Sequence, residues 1–443
     1  MAVDNDTSPP TLVDLFAGCG GLSLGFENAG FDPVLVSELN ISAMSTYLAN
    51  RVSAHPAGRR QTAITPHSKQ SHPNLRTELL TIGDVGDLDD EYLEKIRIAA
   101  LELPRKGIDV VAGGPPCQGF SGIGHRRTHQ VERTQIPSNH LYRQMIRVIS
   151  RTRPRAFVFE NVRGLLSARW TAAGESGEVW RDIRQAFNET LGHDYRIAWD
   201  VVHASEYGVP QNRPRVLIVG IRHEYATELA LKGDRAIQIG LLPQPIPNSY
   251  PSLQDVLGDL VDEEWSPVGT MNQTLKYPLP PMSQYQNVMR QRRADSSEVL
   301  GEGADVREHV YSRHSPRVVE RFTALLAQDE QAIARLKTKK FAQRPLPRLW
   351  GATGPTITVT SLPDDYVHYS QPRTLTVREW ARLQGFPDWY IFEGPRTTGG
   401  ERRAGNPSTG NWSREVPKYT QIGNAVPVRL AEAIARHLRQ IIG

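Results

Sequence analysis

Short β-branched runs recur through the first half of this chain, each followed by a turn and then an amphipathic stretch of helical length. The first, Thr11–Phe16, enters Ala17-Gly18-Cys19-Gly20-Gly21 and continues as a helix-like segment to about Ala29. Pro33–Ser37 leads into Ile41–Asn50, and a third run ends at Ile82-Gly83-Asp84-Val85 before Glu91–Leu101. Ile108–Ala112 and Ala156–Phe159 are the fourth and fifth, the latter preceded by a helical pattern over His140–Arg151. Glu178–Leu191 and the runs Arg196–His203 and Val216–Ile221 complete the series. Strands joined through helices need crossover connections, so most of them must lie parallel in a sheet covered on both faces. The expected fold class is α/β with a Rossmann-like sheet.

In such sheets ligands bind beyond the carboxyl ends of the strands. Several chemically active residues fall at those ends. Glu38 closes the second run, Asp84 the third and Glu160 the fifth, while the fourth opens into Gly113–Ser121, read GGPPCQGFS. A thiol, Cys117, is thus presented in a tight Gly/Pro turn. That stretch alone fits a nucleophile and an inert packed cysteine equally well. The glycine turn at Gly18–Gly21 lets backbone approach a ligand at a helix N-terminus, although it is not a GxGxxG pattern and also fits a plain strand-to-helix turn.

Composition narrows the class. With 443 residues the chain is long enough for two or three domains. A net charge of +4, a pI near 9.0 and a mean hydropathy of −0.44 describe a globular protein suited to a polyanionic partner. Two cysteines make no disulfide framework and no zinc spacing, and no metal site is expected. No apolar run has membrane-spanning length, and the first residues lack a leader pattern, so a cytoplasmic location is expected. Basic clusters at Arg59-Arg60, Arg126-Arg127, Arg290–Arg293 and Lys337–Lys340 could grip phosphates, though each alone is more often a solvated face.

The regular alternation is interrupted twice and then fades. Arg51–Asn74 reads as a surface insertion, and Gly119–Asn139 as a long basic loop that is either a functional lid or disordered. From Arg222 to about Gln371 prolines thicken and strand–helix order is lost, apart from one long helix expected over Pro316–Leu336. The tail regains pattern with a capped helix at Leu375–Gln384, a Gly/Arg-rich loop over Glu393–Ser413 and a helix at Val428–Ile442. The expected division is 1–224, 225–370 and 371–443, the last returning to the first.

Taken in order, DLFAGCGG, GDV, GGPPCQGFS, ENV, QNRPR, RTLTVREWARLQGFPD and QIGNAVP resemble the motifs of DNA (cytosine-5)-methyltransferases, those of bacteria above all. The resemblance implies a Rossmann-like S-adenosylmethionine-dependent methyltransferase sheet with a smaller irregular target-recognition domain at 225–370. It implies Cys117 as the nucleophile that adds to cytosine carbon 6, Glu160 as the residue bonding ring N3 and the exocyclic amine, and Arg215 at O2, with Arg213 completing the catalytic group. For S-adenosylmethionine it implies Phe16, Gly18, Cys19, Gly20 and Gly21 around the methionine and adenine, Cys19 having no chemistry of its own. Glu38 and Leu39 then meet the ribose side, Asp84 and Val85 the adenine, and Pro115, Asn424 and Ala425 close the pocket. Gln118, Ser121 and Gln211 are the implied DNA contacts. Double-stranded DNA is the implied partner, with a separately acting restriction endonuclease and a monomeric enzyme. RNA cytosine methylation and DNA binding without catalysis are the alternatives.

Overall fold

The computed structural model describes residues 8–51, 60–65, 68–116, 137–227, 229, 233–293, 296–336, 343–360, 363–398 and 415–443. Within these, one sheet contains β1 (Thr11–Leu15), β2 (Asp32–Ser37), β3 (Arg60–Ala63), β4 (Glu78–Ile82), β5 (Val110–Gly113), β6 (Ala156–Val162), β7 (Tyr195–His203) and β8 (Pro214–Arg222). Helices α1 (Gly21–Asn28), α2 (Ile41–Ala49), α3 (Asp90–Leu101), α4 (Tyr142–Thr152) and α5 (Glu178–Leu191) alternate with the strands. Later come α6 (Leu253–Leu257), α7 (Gln284–Met289), α8 (Pro316–Ala327), α9 (Glu330–Arg335), α10 (Val377–Leu383), α11 (Lys418–Asn424) and α12 (Val428–Ile442).

The sheet order is β3-β4-β2-β1-β5-β6-β8-β7. Strands from β3 to β6 run parallel, and β8 runs antiparallel to both β6 and β7. From β1 the chain first builds outward through β2 and then crosses back to β5. The order therefore reverses beside β1, which puts the ligand crevice beyond its carboxyl end. Strand pleating sends alternate side chains to opposite faces. Val13 and Leu15 join the apolar layer of α3, α4 and α5, whereas Leu12 joins that of α1 and α12. The last helix thus covers the first. At Gly25 a Cβ would lie 2.4 Å from Ala431 Cβ and 2.6 Å from Val428 O, so only glycine permits this approach.

A third apolar cluster holds the region after β8. It packs Leu253, Val256, Tyr285, Ile357 and Val359 with Trp380, Phe386 and Tyr419, and it reaches Cys19 and Leu24 beside the glycine turn. Charge is buried here in pairs. Asp259 receives Arg382 through both oxygens, Arg382 also pairs with Asp388 at 2.6 Å, and Arg290 reaches Asp259 at 3.1 Å while sitting over the Tyr277 ring. Removing one member would leave an uncompensated buried charge, so these residues fix how α6, α7 and α10 meet.

Several expectations need correction. Arg51–Asn74 is not wholly an insertion, because β3 pairs in parallel with β4 as the sheet's edge. Its residues are polar and mostly exposed, so no apolar alternation marks them. Arg290, read as part of an exposed basic cluster, is fully buried in the ion cluster. The helix expected over Pro316–Leu336 breaks at Gln328, which adopts φ 55°, and α9 restarts with Asp329 capping Ala332 N. The fifth strand is longer than expected, so Glu160 lies within β6. Helix α11 was not foreseen.

Candidate active site

The carboxyl ends of β4, β2, β1, β5 and β6 lie along one edge in that order, and each carries a distinctive group. After β1 the chain makes a tight turn. Phe16 has φ 61°, a left-handed conformation costly for an aromatic residue, followed by Gly18 at φ 57° and Gly20 at φ 87°. Backbone bonds from Ala17 N to Ser37 O and from Gly20 N to Ala17 O, each 2.9 Å, hold the turn before α1 begins at Gly21. A Cβ on Gly18 would meet nothing within 4 Å, so this side is open. On Gly20 it would lie 2.7 Å from Arg51 Nη1 and on Gly21 2.5 Å from Val426 O. The turn therefore has an open front and a filled back.

Glu38 stands at that front. Its Oε2 accepts from Gly18 N at 2.8 Å and its Oε1 from Asn40 N at 2.6 Å, leaving each oxygen further acceptor capacity. Burial pushes its carboxyl above the usual range, and the two N–H donors pull it back. Leu39 beside it is an apolar side chain left 73% exposed. Asp84 is exposed and caps the short turn Val85–Asp87 through Gly86 N at 2.8 Å. Glu38 N bonds Ile82 O at 3.0 Å, which brings the Glu38 and Asp84 ends together. Across the turn, Asn424 is exposed and Ala425 packs against Gly21.

Two side chains expected at this cleft point elsewhere. Cys19 is buried in the third apolar cluster with its Sγ 3.4 Å from Gln421 O, and burial pushes its thiol up to about 12. Val85 packs into the layer of α3 and α4. Only their backbones remain for a ligand.

On the other side of the edge, β6 and β8 are antiparallel neighbours, with Glu160 opposite Leu217 and Val162 opposite Arg215. Glu160 and Arg215 are therefore diagonal partners on one face, close enough for long side chains to meet. Arg215 Nε lies 2.5 Å from Glu160 Oε1, and both are nearly buried. Burial lowers the Arg215 pKa from its ordinary value and the Glu160 carboxylate opposes that fall. A Cβ on Gly114 would sit 2.7 Å from Glu160 Oε2, so the chain leaving β5 runs directly against this carboxylate. Asn161 Nδ2 donates to Pro115 O at 3.0 Å and fixes the same exit. Three residues later comes Cys117, which with Gln118 and Ser121 and most of the Gly119–Asn139 loop lies outside the described residues.

Arg213 is buried two residues before Arg215. Its guanidinium donates to the carbonyls of Val359, Gly423 (2.6 Å) and Ala425 (3.2 Å), while burial and the Arg215 charge both act against its protonated form. Gln211, expected at DNA, is fully buried instead. Its amide donates to Leu383 O at 2.8 Å and to Gln384 Oε1, and its oxygen accepts from Val359 N at 2.9 Å. It ties residues 357–359 to the end of α10.

Sequence reasoning passed over a polar cluster under the turn. Asp14, fully buried in β1, accepts from Ser23 Oγ at 2.5 Å, Ser23 is 2.9 Å from Tyr47 Oη, and Asp14 Oδ1 meets no donor among the described residues. Burial raises the Asp14 carboxyl to about 7. Arg51, treated as the start of an insertion, is 4% exposed and pairs with Glu27 at 2.6 Å. The signals were an acid inside an apolar strand and the four-residue spacing of Tyr47 and Arg51.

Comparison with known proteins decides the family. The profile described as C-5 cytosine-specific DNA methylase matches residues 11–84 and 74–440. The chain belongs to the C-5 cytosine-specific DNA methylases. As a member it is a DNA cytosine-5 methyltransferase. The Type II methyltransferase M.DdeI of Desulfomicrobium norvegicum is 32% identical over 448 residues, covering 96% of this chain and 88% of that protein. M.XorII of Xanthomonas oryzae pv. oryzae is 29% identical over 443 residues, with 98% and 85% covered. The methylase fold is shared with a prophage-encoded E. coli protein described as a candidate DNA modification methyltransferase, at a TM-score of 0.63 and 24% identity over 98% of this chain and 99% of that one.

Proposed function

We propose that this methylase uses S-adenosylmethionine to methylate one cytosine within a specific double-stranded DNA sequence, through a covalent bond from Cys117 to carbon 6. The observation that carries the reading is the Glu160–Arg215 pair, 2.5 Å apart and pressed against Gly114, three residues before Cys117. The other end of the edge suits the donor. The open front at Gly18, the acceptor oxygens of Glu38 and Asp84 and the exposed Leu39 match a nucleoside with hydroxyls, an exocyclic amine and an apolar ring face. Phe16, Gly20, Gly21, Pro115, Asn424, Ala425 and the backbone at Cys19 and Val85 complete that cleft.

When bound, S-adenosylmethionine supplies an electrophilic methyl group. Cytosine carbon 5 is too weak a nucleophile to take it unaided. The Cys117 thiolate adds to carbon 6 and pushes electron density onto carbon 5. Glu160 bonds N3 and the exocyclic amine, placing a proton at N3 as charge develops, and its acceptor–donor pattern selects cytosine over thymine. Arg215 neutralises O2 from a water-poor site, where a fixed cation acts most strongly. Carbon 5 then forms its bond to the methyl as S-adenosylhomocysteine leaves, and loss of the carbon-5 proton to solvent, return of the N3 proton to Glu160 and expulsion of the Cys117 thiolate restore the ring. Arg213 and Gln211 position this pair without touching the base.

Reaching carbon 6 requires the target base to leave the duplex stack. Gln118, Ser121 and the loop around them are the proposed contacts to that strand, and residues 225–370 the proposed target reader. The relatives' Type II naming favours a restriction–modification role. The proposal adds a separately acting endonuclease, a bacterial cytoplasmic location and a monomeric enzyme. The test is incubation with unmethylated plasmid and S-adenosylmethionine followed by bisulfite sequencing. Protected cytosines in one short context, lost in Cys117→Ala, are expected. Protection absent from DNA but present on transfer RNA would overturn the substrate.

A further inference from the structure

Two consecutive carbonyls of the glycine turn are gripped from behind. Tyr390 Oη donates to Cys19 O at 2.6 Å, and Arg51 Nη2 donates to Gly20 O at 3.3 Å. The two grips are joined, because Arg51 Nη1 donates to Tyr390 Oη at 3.1 Å. Arg51 is itself fixed by Tyr47 O at 3.1 Å and by both oxygens of Glu27 at 2.9 and 2.6 Å, with its guanidinium 3.8 Å from the centre of the Tyr47 ring. All five of its N–H donors therefore have acceptors, which is what a buried guanidinium requires.

This arrangement exceeds what is needed to join α1 to α2. Gly18 and Gly20 take positive φ values for which glycine has little intrinsic preference, and the unrestrained run from Gly18 to Gly21 would sample many others. A ligand that must order such a turn loses affinity by that ordering, and a turn already ordered does not impose the loss. Space also runs the right way. Gly20 has no room at its back for even a Cβ, since Arg51, Tyr390 Oη and a Tyr47 ring carbon all come within 2.9 Å, whereas the Gly18 front is open.

We propose that Arg51 and Tyr390 are positioning residues for the methyl donor. They hold the turn in its binding conformation from the side the donor never touches, and they set donor affinity without taking part in the chemistry. The proposal rests on the assignment of this cleft to S-adenosylmethionine. It brings into the working enzyme a residue from the polar stretch after α2 and one from the segment following α10.

Calorimetric titration with S-adenosylhomocysteine, with no turnover involved, tests it on wild type, Tyr390→Phe, Arg51→Lys and Arg51→Met. Expected dissociation constants rise about threefold for Tyr390→Phe, further for Arg51→Lys, and tenfold or more for Arg51→Met. At saturating donor, kcat and DNA affinity stay within about twofold of wild type. Leu191→Ala, in the apolar layer of α5, serves as a control that lowers Tm without touching the turn. Wild type that fails to bind S-adenosylhomocysteine overturns the donor assignment itself. Wild type that binds, with the variants binding equally well, overturns the positioning role and leaves the assignment standing. Equal weakening by Leu191→Ala at matched Tm loss overturns it too, by showing that stability alone sets affinity. Because Tyr390→Phe removes only one hydroxyl, it keeps the comparison open if Arg51→Met does not fold.

Discussion

The two ends of the reactive edge are built on opposite plans. On the β1–β2–β4 side the surface offered to a ligand joins the backbone of the glycine turn to the Glu38 and Asp84 carboxylates, and Arg51 and Tyr390 hold that backbone from behind. On the β5–β6–β8 side the surface offered is charge, Glu160 with Arg215, while backbone carbonyls of Val359, Gly423 and Ala425 hold the adjacent Arg213. A backbone surface loosens by degrees when a support goes. A pair of opposed charges is present or absent. Substitutions on the donor side should therefore give graded changes in affinity, and those on the base side should give losses in rate.

The sharpest break is Glu160→Gln. It keeps shape but cannot deliver a proton to N3, and kcat is expected to fall by about 10²- to 10⁴-fold with donor affinity unchanged. Single-turnover methylation alongside S-adenosylhomocysteine titration checks both halves of that statement, and a matching loss of donor affinity would erase the contrast.

Asp14 gives the next largest effect, in stability. Its folded carboxyl titrates near 7 and an unfolded one near 3.8, so the folded state keeps a proton that the unfolded state has released between those values. Its contribution is complete below about pH 4 and is lost as pH rises through 7, by on the order of 4 kcal/mol. Asp14→Asn should accordingly be more stable than wild type at pH 8 and lose that advantage towards pH 4. Urea unfolding at the two pH values measures it, and a pH-independent difference would refute the assignment.

Two smaller effects sharpen the donor side. Glu38→Gln halves the charge-based acceptor set while keeping the side chain's length, and the dissociation constant for S-adenosylhomocysteine should rise about tenfold, roughly 1.4 kcal/mol, with kcat at saturation retained. Asn40→Ala removes the cap on α2, whose oxygen accepts from Ala43 N at 3.1 Å. That should cost about 1 kcal/mol of stability with donor affinity within twofold. Thermal unfolding with and without ligand separates the two.

The strand ends were legible because each is a local event. Glu38, Asp84 and Glu160 could be placed from an apolar run followed by an acid, since strand, turn and helix periodicities are written within a few residues. Gln211 and Arg290 were not legible for the opposite reason. Their partners lie 172 and 31 positions away, and nothing near them in sequence distinguishes a buried donor from one reaching for phosphate. Arg51 was hidden by its neighbours, because the polar residues that follow it suggest a solvated loop. The edge strand β3 escaped notice because an exposed strand has no apolar face to reveal its period. The break at Gln328 depends on one left-handed residue, which a helical pattern on both sides conceals.

The contact between α1 and α12 also governs when the enzyme can exist. Asn28 and Glu432 bond across 404 residues of sequence, and Gly25 lies against Ala431 with no space to spare. During synthesis the helix that follows the glycine turn is made about 400 residues ahead of α12, and its outer face is not covered by α12 until that helix has left the ribosome. The proposed donor cleft is completed only once α12 has been made, and a chain cut short before Val428 would leave Leu22 and Phe26 without the α12 side of their apolar cluster.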